Sequence, residues 1–394
     1  MGSLPSLADK IVATRMFTEL PTKVRHHLTH YDHEAHSYSF SGGFVGGLGE
    51  AHAAAAAAAA ADDAGRAARD AQQAEVSELE LRQRTLLATD AASDLPANWR
   101  ADAGVLLLPI KLKNGETLRI DDGDEAAASR FAVKHLAQFI GPTHTLAASV
   151  DTTSELISQH AHDDTDFVLQ IAMSSRRSAS YANSLTAAQK LMVQIARERR
   201  RAGNTRPFKM WVVDSGASFN GHGVLIAECA RLLQASVALP QIVQQVDALR
   251  RQVKTLVVPR NLKLFYRNAA LPEAPISHWF KRHVGQLFDR MPVAIASGDE
   301  LRVLNTQKGF AAATDVAFNH AIRCVEAGLD APFVCASYAG DIADLRHMER
   351  FIELSAICAT HQITVLASAM SMTNAALLGA GSVLISLSSS GEFR

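Results

Sequence analysis

Cysteine is scarce in this chain, and its spacing excludes the common cysteine-based architectures. The four cysteines, Cys229, Cys324, Cys335 and Cys358, each stand alone in an apolar stretch, and no CxxC pair occurs. Zinc sites and disulfide frameworks both need closely spaced or paired cysteines. The sequence therefore predicts four buried, reduced thiols and favours a cytoplasmic protein.

An excess of either charge is also missing, because 39 basic residues face 40 acidic ones. The one short basic run comprises Arg197 and Arg199–Arg201. Without a broad positive surface, nucleic acid is not expected as a partner. No stretch approaches the ~20 strongly apolar residues that span a bilayer, and no basic segment precedes an apolar core at the N-terminus. We expect neither a membrane span nor a secretion signal.

Residues 1–84 differ from the rest of the chain. Gly42–Gly49 is rich in glycine, and an alanine run at Ala53–Ala61 leads into a charged segment that ends near residue 82. Because alanine is the best helix former, we predict a helical N-terminal extension. The glycine run is more typical of a flexible hinge than of a nucleotide-binding turn, since no strand precedes it.

Histidines cluster within this extension. His26 and His30 are four residues apart and would share one face of a helix, which suggests a metal site. No cysteine or ordered acidic spacing accompanies them, so a solvated polar patch is the favoured interpretation and no metal is predicted. The cluster comprises His26, His27, His30, Asp32, His33 and His36.

From Thr85 onward, short apolar runs alternate with helical patterns, which predicts an α/β fold with mainly parallel sheets. The predicted strands are Thr85–Thr89, Val105–Leu112, Phe167–Ser175, Met210–Asp214, Lys254–Val258, Val293–Ala296, Phe333–Ser337, Ile363–Ala367 and Ser382–Leu387. The predicted helices are Asp124–Ile140, Thr152–His160, Ala179–Arg201, Phe219–Gln234, Pro240–Gln252, Ile276–Arg290, Gly309–Ala327 and Asp341–Thr360. We predict two α/β domains, 85–250 and 251–388, with a ligand cleft between them, and a tail at 389–394.

Two hydroxyl-rich segments stand where helices are predicted to begin. Ser174–Asn183 follows an apolar strand, and Ser149–Glu155 has the pattern of a helix cap. A helix N-terminus at the end of a parallel strand offers free N–H groups to a carboxylate or phosphate. Helix capping alone could equally explain both segments. Their value as a site depends on whether they are neighbours in space.

Read in order, these segments resemble the DegV family of lipid-binding proteins across residues 85–388. Ala88–Pro96 is similar to the TDS-x-x-DLP motif of that family, and Ala148–Thr152 is similar to its TSQPS loop. Ser174–Tyr181 is similar to its SS-x-x-SGTY turn, and Val212–Ser215 to its strand-DS motif. The family threonine that binds the fatty-acid carboxylate is Ala148 here, whereas the second carboxylate-binding hydroxyl corresponds to Ser178.

The similarity is weaker in the second half. The Gly-Gly-Arg segment of the family has no clean counterpart in Leu262–Ala269, although Arg267 is near, and the family histidine of a THTGPG-like turn is Thr373 here. The resemblance implies a long-chain fatty acid with its tail in an apolar tunnel of the first domain. The candidate ligand-binding residues are Ser178, Ser149, Ser180, Ser174, Ser175, Asp90, Arg267 and Thr373.

The resemblance also implies a carrier rather than an enzyme. By analogy, the carboxylate could be presented to a separate fatty acid kinase; no other cofactor is implied, and a homodimer is left open. Two alternatives remain. A degraded pocket would leave an interaction protein whose N-terminal helices bind a partner or self-associate. A serine hydrolase is suggested by Gly216–Asn220, which nearly matches a nucleophile elbow around Ser218, with His222 as a base, but Asn220 replaces the required glycine.

Overall fold

The computed structural model describes residues 84–138, 143–161, 164–269, 290–298 and 300–391, with the backbone alone at 266–269. All of these residues belong to one compact unit, Asp70–Arg394. The predicted extension (except Arg84), its histidine cluster and the predicted helix Ile276–Arg290 lie outside them, apart from Arg290 itself. No helix in the described ranges combines the length and the apolar character needed to cross a bilayer.

Thirteen strands are present in the described ranges, and they form three sheets. The strands are β1 Thr85–Asp90, β2 Val105–Leu108, β3 Ile110–Asn114, β4 Thr117–Asp121, β5 His144–Leu146, β6 Phe167–Ala172, β7 Lys209–Asp214, β8 Val253–Val258, β9 Met291–Ser297, β10 Glu300–Gln307, β11 Phe333–Tyr338, β12 Thr364–Ala369 and β13 Val383–Ser388. The sheet orders are β2-β1-β6-β7, β10-β9-β8-β13-β11-β12 and β4-β3-β5. The α/β fold class is confirmed.

Eleven α-helices connect or cover these strands in the described ranges. They are α1 Ala97–Asp102, α2 Glu125–Arg130, α3 Val150–His160, α4 Ser180–Arg201, α5 Gly221–Gln234, α6 Leu239–Leu249, α7 Leu262–Ala269, α8 Phe310–Ala327, α9 Ile342–His347, α10 Glu349–Thr360 and α11 Met372–Leu378. The helix predicted at Asp124–Ile140 begins as α2 and continues as a π-turn and a 3₁₀ turn to Gln138. The helix predicted at Asp341–Thr360 divides at Met348 into α9 and α10.

The four-stranded sheet is entirely parallel, as the sequence predicts. Successive residues of a strand face opposite sides, so Leu87 and Ala88 of β1 enter two different cores. On one side, helices α3 and α4 close an apolar layer that contains Ile157 and Leu191. Helix α5 covers the other side. The sheet is therefore buried on both faces, which is why its strands read as continuous apolar runs.

The six-stranded sheet differs from the expectation of mainly parallel strands. Only β11 and β12 pair in parallel, whereas β9–β10, β8–β9, β8–β13 and β11–β13 are antiparallel. The short connection from Ser297 to Glu300, with a positive φ of 56° at Gly298, can join only antiparallel neighbours. Apolar runs predict buried strands, but they carry no information about strand direction.

The three-stranded antiparallel sheet was not expected. The predicted strand Val105–Leu112 divides at Pro109, because proline has no N–H to pair and its ring fixes the backbone. Beyond Pro109 the chain leaves the parallel sheet and forms β3, which pairs with β4 and β5. The inner side of β3 packs through Leu112 against Phe131 and the core of the six-stranded sheet. The predicted boundary near residue 250 stays a prediction.

Helix α5 connects the parallel and six-stranded sheets. Its buried residues share one apolar cluster with Leu87 and Leu169 of the parallel sheet and with Phe333 and Cys335 of the six-stranded sheet. The helix also approaches the backbone closely, since a Cβ added to Gly223 would lie 2.6 Å from the carbonyl oxygen of Ser93. All four cysteines are unpaired and buried, which confirms the prediction of free thiols.

Candidate functional site

The two hydroxyl-rich segments are neighbours in space. Helix α3 packs against helix α4, and both begin at the same place. There the side-chain amide of Asn183 in α4 donates to the carbonyl oxygen of Ala148 at 2.8 Å. Ala148 directly precedes Ser149, the N-cap of α3. The question that the sequence left open is therefore answered, because the Ser149 loop borders the turn that precedes α4.

Ser178 retains a hydroxyl hydrogen that can be donated to a ligand, and Ser149 retains one when Thr152 donates in the contact between their hydroxyls. The Ser178 oxygen accepts the N–H of Ser180 at 3.1 Å, and the side chain is half-buried. The exposed Ser149 oxygen accepts the N–H of Thr152 at 3.1 Å and lies 2.9 Å from the Thr152 hydroxyl. A hydroxyl that accepts one bond still carries a hydrogen of its own. We call this pair of helix starts, defined by Ser149 and Ser178, the hydroxyl seat.

The other serines of the turn are directed toward the protein itself. Ser175 donates its hydroxyl to Asp214 at 2.5 Å, and Ser180 donates to Asp90 at 3.2 Å. Ser174 is buried, and its oxygen accepts the N–H of Arg176 at 3.4 Å. The carboxylates that end β1 and β7 are the nearby acceptors. These three predicted ligand residues therefore shape the turn, and the hydroxyl seat retains Ser149 and Ser178.

Asp90, which ends β1, is a buried acceptor and not an exposed ligand. Its carboxylate accepts from the N–H of Met173 at 3.1 Å and from the hydroxyl of Ser180. The ring nitrogen Nε2 of His222 lies 3.0 Å away. Burial alone would raise the pKa of Asp90, but His222 and the hydrogen bonds together hold it below its ordinary value. Asp90 thus orders the turn that carries Ser178.

Asp94 links the parallel sheet to the six-stranded sheet. Its backbone is left-handed, with φ 49°. Its carboxylate accepts from the Ser337 hydroxyl at 2.6 Å, the Ser371 N–H at 2.9 Å and the Asn374 amide at 3.1 Å. Burial raises the pKa of this carboxyl to about 6, although these hydrogen bonds oppose the rise. The DLP motif that contains Asp94 therefore links the parallel sheet to the six-stranded sheet.

Thr373 makes a similar set of buried hydrogen bonds within the protein. Its hydroxyl and N–H donate to Asp121 at 2.6 and 2.8 Å, and both residues are buried. Burial raises the pKa of Asp121, against the lowering effect of these bonds. With its hydrogen committed, Thr373 has no donor for a carboxylate. Arg267 falls in α7, but its side chain is outside the described set, so its role as a ligand stays a prediction.

Glu125, at the start of α2, bridges two elements that sequence reasoning did not connect. One carboxylate oxygen accepts the N–H of Ala97 at 2.7 Å, and the other accepts the N–H of Ala369 at 3.2 Å. Ala369 lies on the edge strand β12, where alternate N–H groups point away from the sheet. A cavity of about 10 Å³ borders Glu125 and Asp94. It has room for about one water molecule and not for an acyl chain.

The alternative of a serine hydrolase finds no support in the geometry. His222 is fully buried and paired with Asp90 through Nε2, while its Nδ1 has no hydrogen-bond partner within the described part of the chain. The buried hydroxyl of Ser218 likewise has no hydrogen-bond partner among the residues that the structure describes. The Ser218 hydroxyl and the His222 Nδ1 therefore form no hydrogen bond with each other. A catalytic nucleophile and its base should form one. In the described ranges, no group of His, Cys, Asp or Glu is arranged to hold a metal ion.

Comparison with known proteins identifies the family. A family model described as "Uncharacterised protein, DegV family" matches residues 84–390. This chain belongs to the DegV family. A DegV domain-containing protein of Xanthomonas axonopodis pv. citri is 27% identical over 299 residues, which are 76% of this chain and 95% of that protein.

Solved structures show the same fold. A fatty-acid-binding DegV family protein from Thermus thermophilus superimposes with a TM-score of 0.60 at 19% identity, covering 78% of this chain and 99% of that one. The Fatty Acid Kinase (Fak) B3 protein of Streptococcus pneumoniae, loaded with linoleic acid, gives a TM-score of 0.55 at 14% identity, covering 77% and 99%. Both likenesses establish the fold.

Several contacts in this DegV chain escaped sequence reasoning because they join residues that are far apart in the chain. His222 is 132 positions from Asp90, and Ser337 is 243 positions from Asp94. No local pattern connects such pairs. Asn183 was closer to detection, since an amide one turn into a helix is well placed to reach a neighbouring loop.

Proposed function

We propose that this chain binds a long-chain fatty acid, holds its carboxylate at the hydroxyl seat and presents it to a separate fatty acid kinase. The observation that carries the proposal is the hydrogen bond between Asn183 and Ala148, because it places the starts of α3 and α4 side by side. Membership of the DegV family and the fatty-acid-binding structures with the same fold support it.

The chemistry of the hydroxyl seat suits a carboxylate. The first N–H groups of a helix have no partner within the helix, and the helix dipole favours negative charge there. Two such ends meet at the hydroxyl seat, and Ser149 and Ser178 add hydroxyl donors. Charge-assisted bonds of this kind are short and roughly twice as strong as neutral ones. The absent threonine at position 148 removes one donor and leaves the others in place.

We assign the acyl tail to the apolar layer between the parallel sheet and helices α3 and α4. This layer includes the partly buried Leu156, Leu185 and Met192 together with the buried Leu191. Each buried methylene contributes ~0.8 kcal/mol, so a long chain supplies most of the affinity. The head group then chiefly sets orientation, which is what presentation of a carboxylate requires.

The partner in this proposal is a kinase that phosphorylates the carboxylate. The similarly folded Streptococcus pneumoniae protein carries the name of a fatty acid kinase component. We assign the phosphoryl-transfer chemistry to that partner, and the role of this chain is to hold and orient the substrate.

The test is native mass spectrometry of the purified chain, followed by titration with a long-chain fatty acid. We expect one fatty acid per chain and roughly ten-fold weaker binding by Ser178→Ala, since a hydrogen bond to a charged group is worth ~1.5–3 kcal/mol. Ser355→Ala is the matched control, because the Ser355 hydroxyl donates to Phe351 within α10. A chain that stays empty and takes up no added fatty acid would contradict the proposal and favour an interaction protein.

A further inference from the structure

The turn that carries Ser178 is fixed at both ends by one oxygen of a carboxylate. Oδ2 of Asp90 accepts the N–H of Met173 at 3.1 Å and the hydroxyl of Ser180 at 3.2 Å. Met173 precedes the turn, and Ser180 begins α4. Ser178 lies between them, and its oxygen accepts the N–H of Ser180 at 3.1 Å. The position of the Ser178 hydroxyl therefore depends on the orientation of the Asp90 carboxylate.

The other oxygen of Asp90 is held by His222. The ring nitrogen Nε2 lies 3.0 Å from Oδ1, whereas the N–H of Ala92 lies 3.3 Å from the same oxygen. An ionised carboxylate only accepts hydrogen bonds, so Nε2 carries the hydrogen and donates it. Ala92 belongs to the same short segment as Asp90 and makes the longer contact. His222 is therefore the donor that orients this carboxylate from a different element of the fold.

His222 also keeps Asp90 in its charged form. Burial raises the pKa of this carboxyl, but the charge of His222 and the hydrogen bonds hold it below its ordinary value. Among the described residues, His222 is the only titratable side chain bonded to Asp90. Without it, the buried carboxyl would take up a proton more readily. A protonated oxygen donates a hydrogen bond, so the turn would lose part of the acceptor that fixes it.

The backbone around His222 is tightly confined. His222 is the second residue of α5 and lies between Gly221 and Gly223. A Cβ added to Gly221 would lie 2.9 Å from the Thr255 hydroxyl oxygen, and one added to Gly223 would lie 2.6 Å from the Ser93 carbonyl oxygen. A side chain at either glycine would force neighbouring atoms to move. The start of α5 is thus held between the six-stranded sheet and the segment that follows β1, which fixes where the imidazole can reach.

We propose that His222 is a positioning residue that makes the hydroxyl seat select a carboxylate head group over a neutral one. This inference rests on the proposed function, because the hydroxyl seat must first hold a fatty acid. The buried His222 acts through Asp90 and Ser180 on the Ser178 hydroxyl. A carboxylate depends on a well-placed donor because charge-assisted hydrogen bonds are the stronger kind. The alkyl chain contributes the same burial with any head group. Loss of His222 should therefore weaken binding of an acid and spare the corresponding alcohol.

The experiment is titration of the full chain with oleic acid and with oleyl alcohol, which differ only in the head group. The unmodified chain should bind the acid more tightly. His222→Phe keeps a ring but has no N–H, and it should weaken oleic acid binding roughly ten-fold, as expected for one hydrogen bond to a charged group. It should change oleyl alcohol binding by less than about two-fold, since buried methylenes supply that affinity. His222→Gln keeps an N–H donor and should restore most of the affinity for the acid.

His320→Phe is the matched control, because His320 is also a buried histidine but lies in α8, where Arg323 of the same helix donates to its Nδ1 at 3.1 Å. This substitution should leave the ratio of the two affinities unchanged. Urea denaturation shows whether each variant is folded under the conditions of the titration. Ser180→Ala gives a second route that leaves α5 intact. It removes the hydroxyl that Asp90 accepts, so it should cause the same selective loss of oleic acid binding.

The double substitution His222→Phe with Ser180→Ala tests whether both residues act through Asp90. It should weaken oleic acid binding no more than His222→Phe alone, because residues of one network are not additive. Losses that multiply would overturn the inference. Equal weakening of acid and alcohol by His222→Phe, unchanged acid binding, or failure of His222→Gln to restore it would overturn the inference as well. If the unmodified chain binds neither ligand, the proposed function itself fails, and this is evident before any substitution is made.

Discussion

At Asp94, burial opposes ionisation of the carboxyl group. Its carboxylate is almost completely removed from water, yet it accepts hydrogen bonds from Ser337, Ser371 and Asn374. Burial disfavours the ionised form more strongly than these donors favour it, so the pKa is raised to about 6. The contribution of Asp94 to the contact between the two sheets therefore weakens when this carboxyl ionises.

This conflict predicts a pH dependence of stability. Between the ordinary pKa of 3.8 and the folded value of about 6 the folded chain holds a proton that the unfolded chain has lost. The contribution of Asp94 to the free energy of unfolding should then fall by roughly 3 kcal/mol as pH rises through that window. Urea denaturation from pH 4 to pH 6.5 should show the fall in the difference between the unmodified chain and Asp94→Asn.

Asparagine is suited to this comparison because it tolerates the left-handed backbone at position 94. The exposed Asp102→Asn serves as the control and should leave the pH profile unchanged. A difference that stays flat across the window would show that the carboxyl titrates normally. The contribution of Asp90 has the opposite sign, since its pKa is lowered, and it is lost only as pH falls below the ordinary range.

At the residue scale, the sequence indicates which residues are candidates for the site better than it indicates which way their side chains point. The motifs proposed Ser149 and Ser178 together with Ser174, Ser175 and Ser180, and only the acceptors around these serines separate the two groups. Arg199 gives the same lesson. It belongs to a basic run in the sequence, yet it is buried and pairs with Asp166 at 3.2 Å.

Among the elements, helix α5 packs unusually closely against the DLP segment. A glycine inside a helix is ordinarily ~1 kcal/mol less stable than alanine. At Gly223 the added Cβ would meet the Ser93 carbonyl oxygen at 2.6 Å, which the backbone cannot accommodate without moving. We therefore expect Gly223→Ala to destabilise the fold by ~1–3 kcal/mol.

The measurement is the urea midpoint, with an unchanged m-value showing that the unfolding reaction is the same. The sign of the change decides the matter. A gain in stability, as is usual for alanine in a helix, would mean that α5 and the DLP segment are not in close contact.

The strands that sequence patterns predicted best are those buried on both sides. Each strand of the parallel sheet reads as an apolar run, and helices α4 and α8 follow strong periodic patterns. Strand β4 was missed because its residues Thr117–Asp121 face water on one side and alternate irregularly in polarity. Strand β10 was missed for a similar reason, since it is an edge strand with few buried residues.

Across the whole molecule, the parallel and six-stranded sheets should unfold together. They share the apolar cluster around α5 and the hydrogen bonds of Asp94. Unfolding one sheet would expose apolar surface of the other to water, so we expect a single cooperative unfolding transition. Hydrogen exchange in mild denaturant should give the same opening free energy for the amides of β6 and β13. Two well-separated values would instead show that the sheets open independently.

The bridge made by Glu125 also affects how copies of this chain meet one another. The outer edge of β12 presents N–H groups that could pair with a strand from another molecule. At Ala369 that donor is already taken by the Glu125 carboxylate, which also holds Ala97. The Glu125 carboxylate thus covers one end of this strand edge, and a strand from another molecule would have to displace it to pair there. Loss of this single side chain would first become evident as a tendency to aggregate at high concentration.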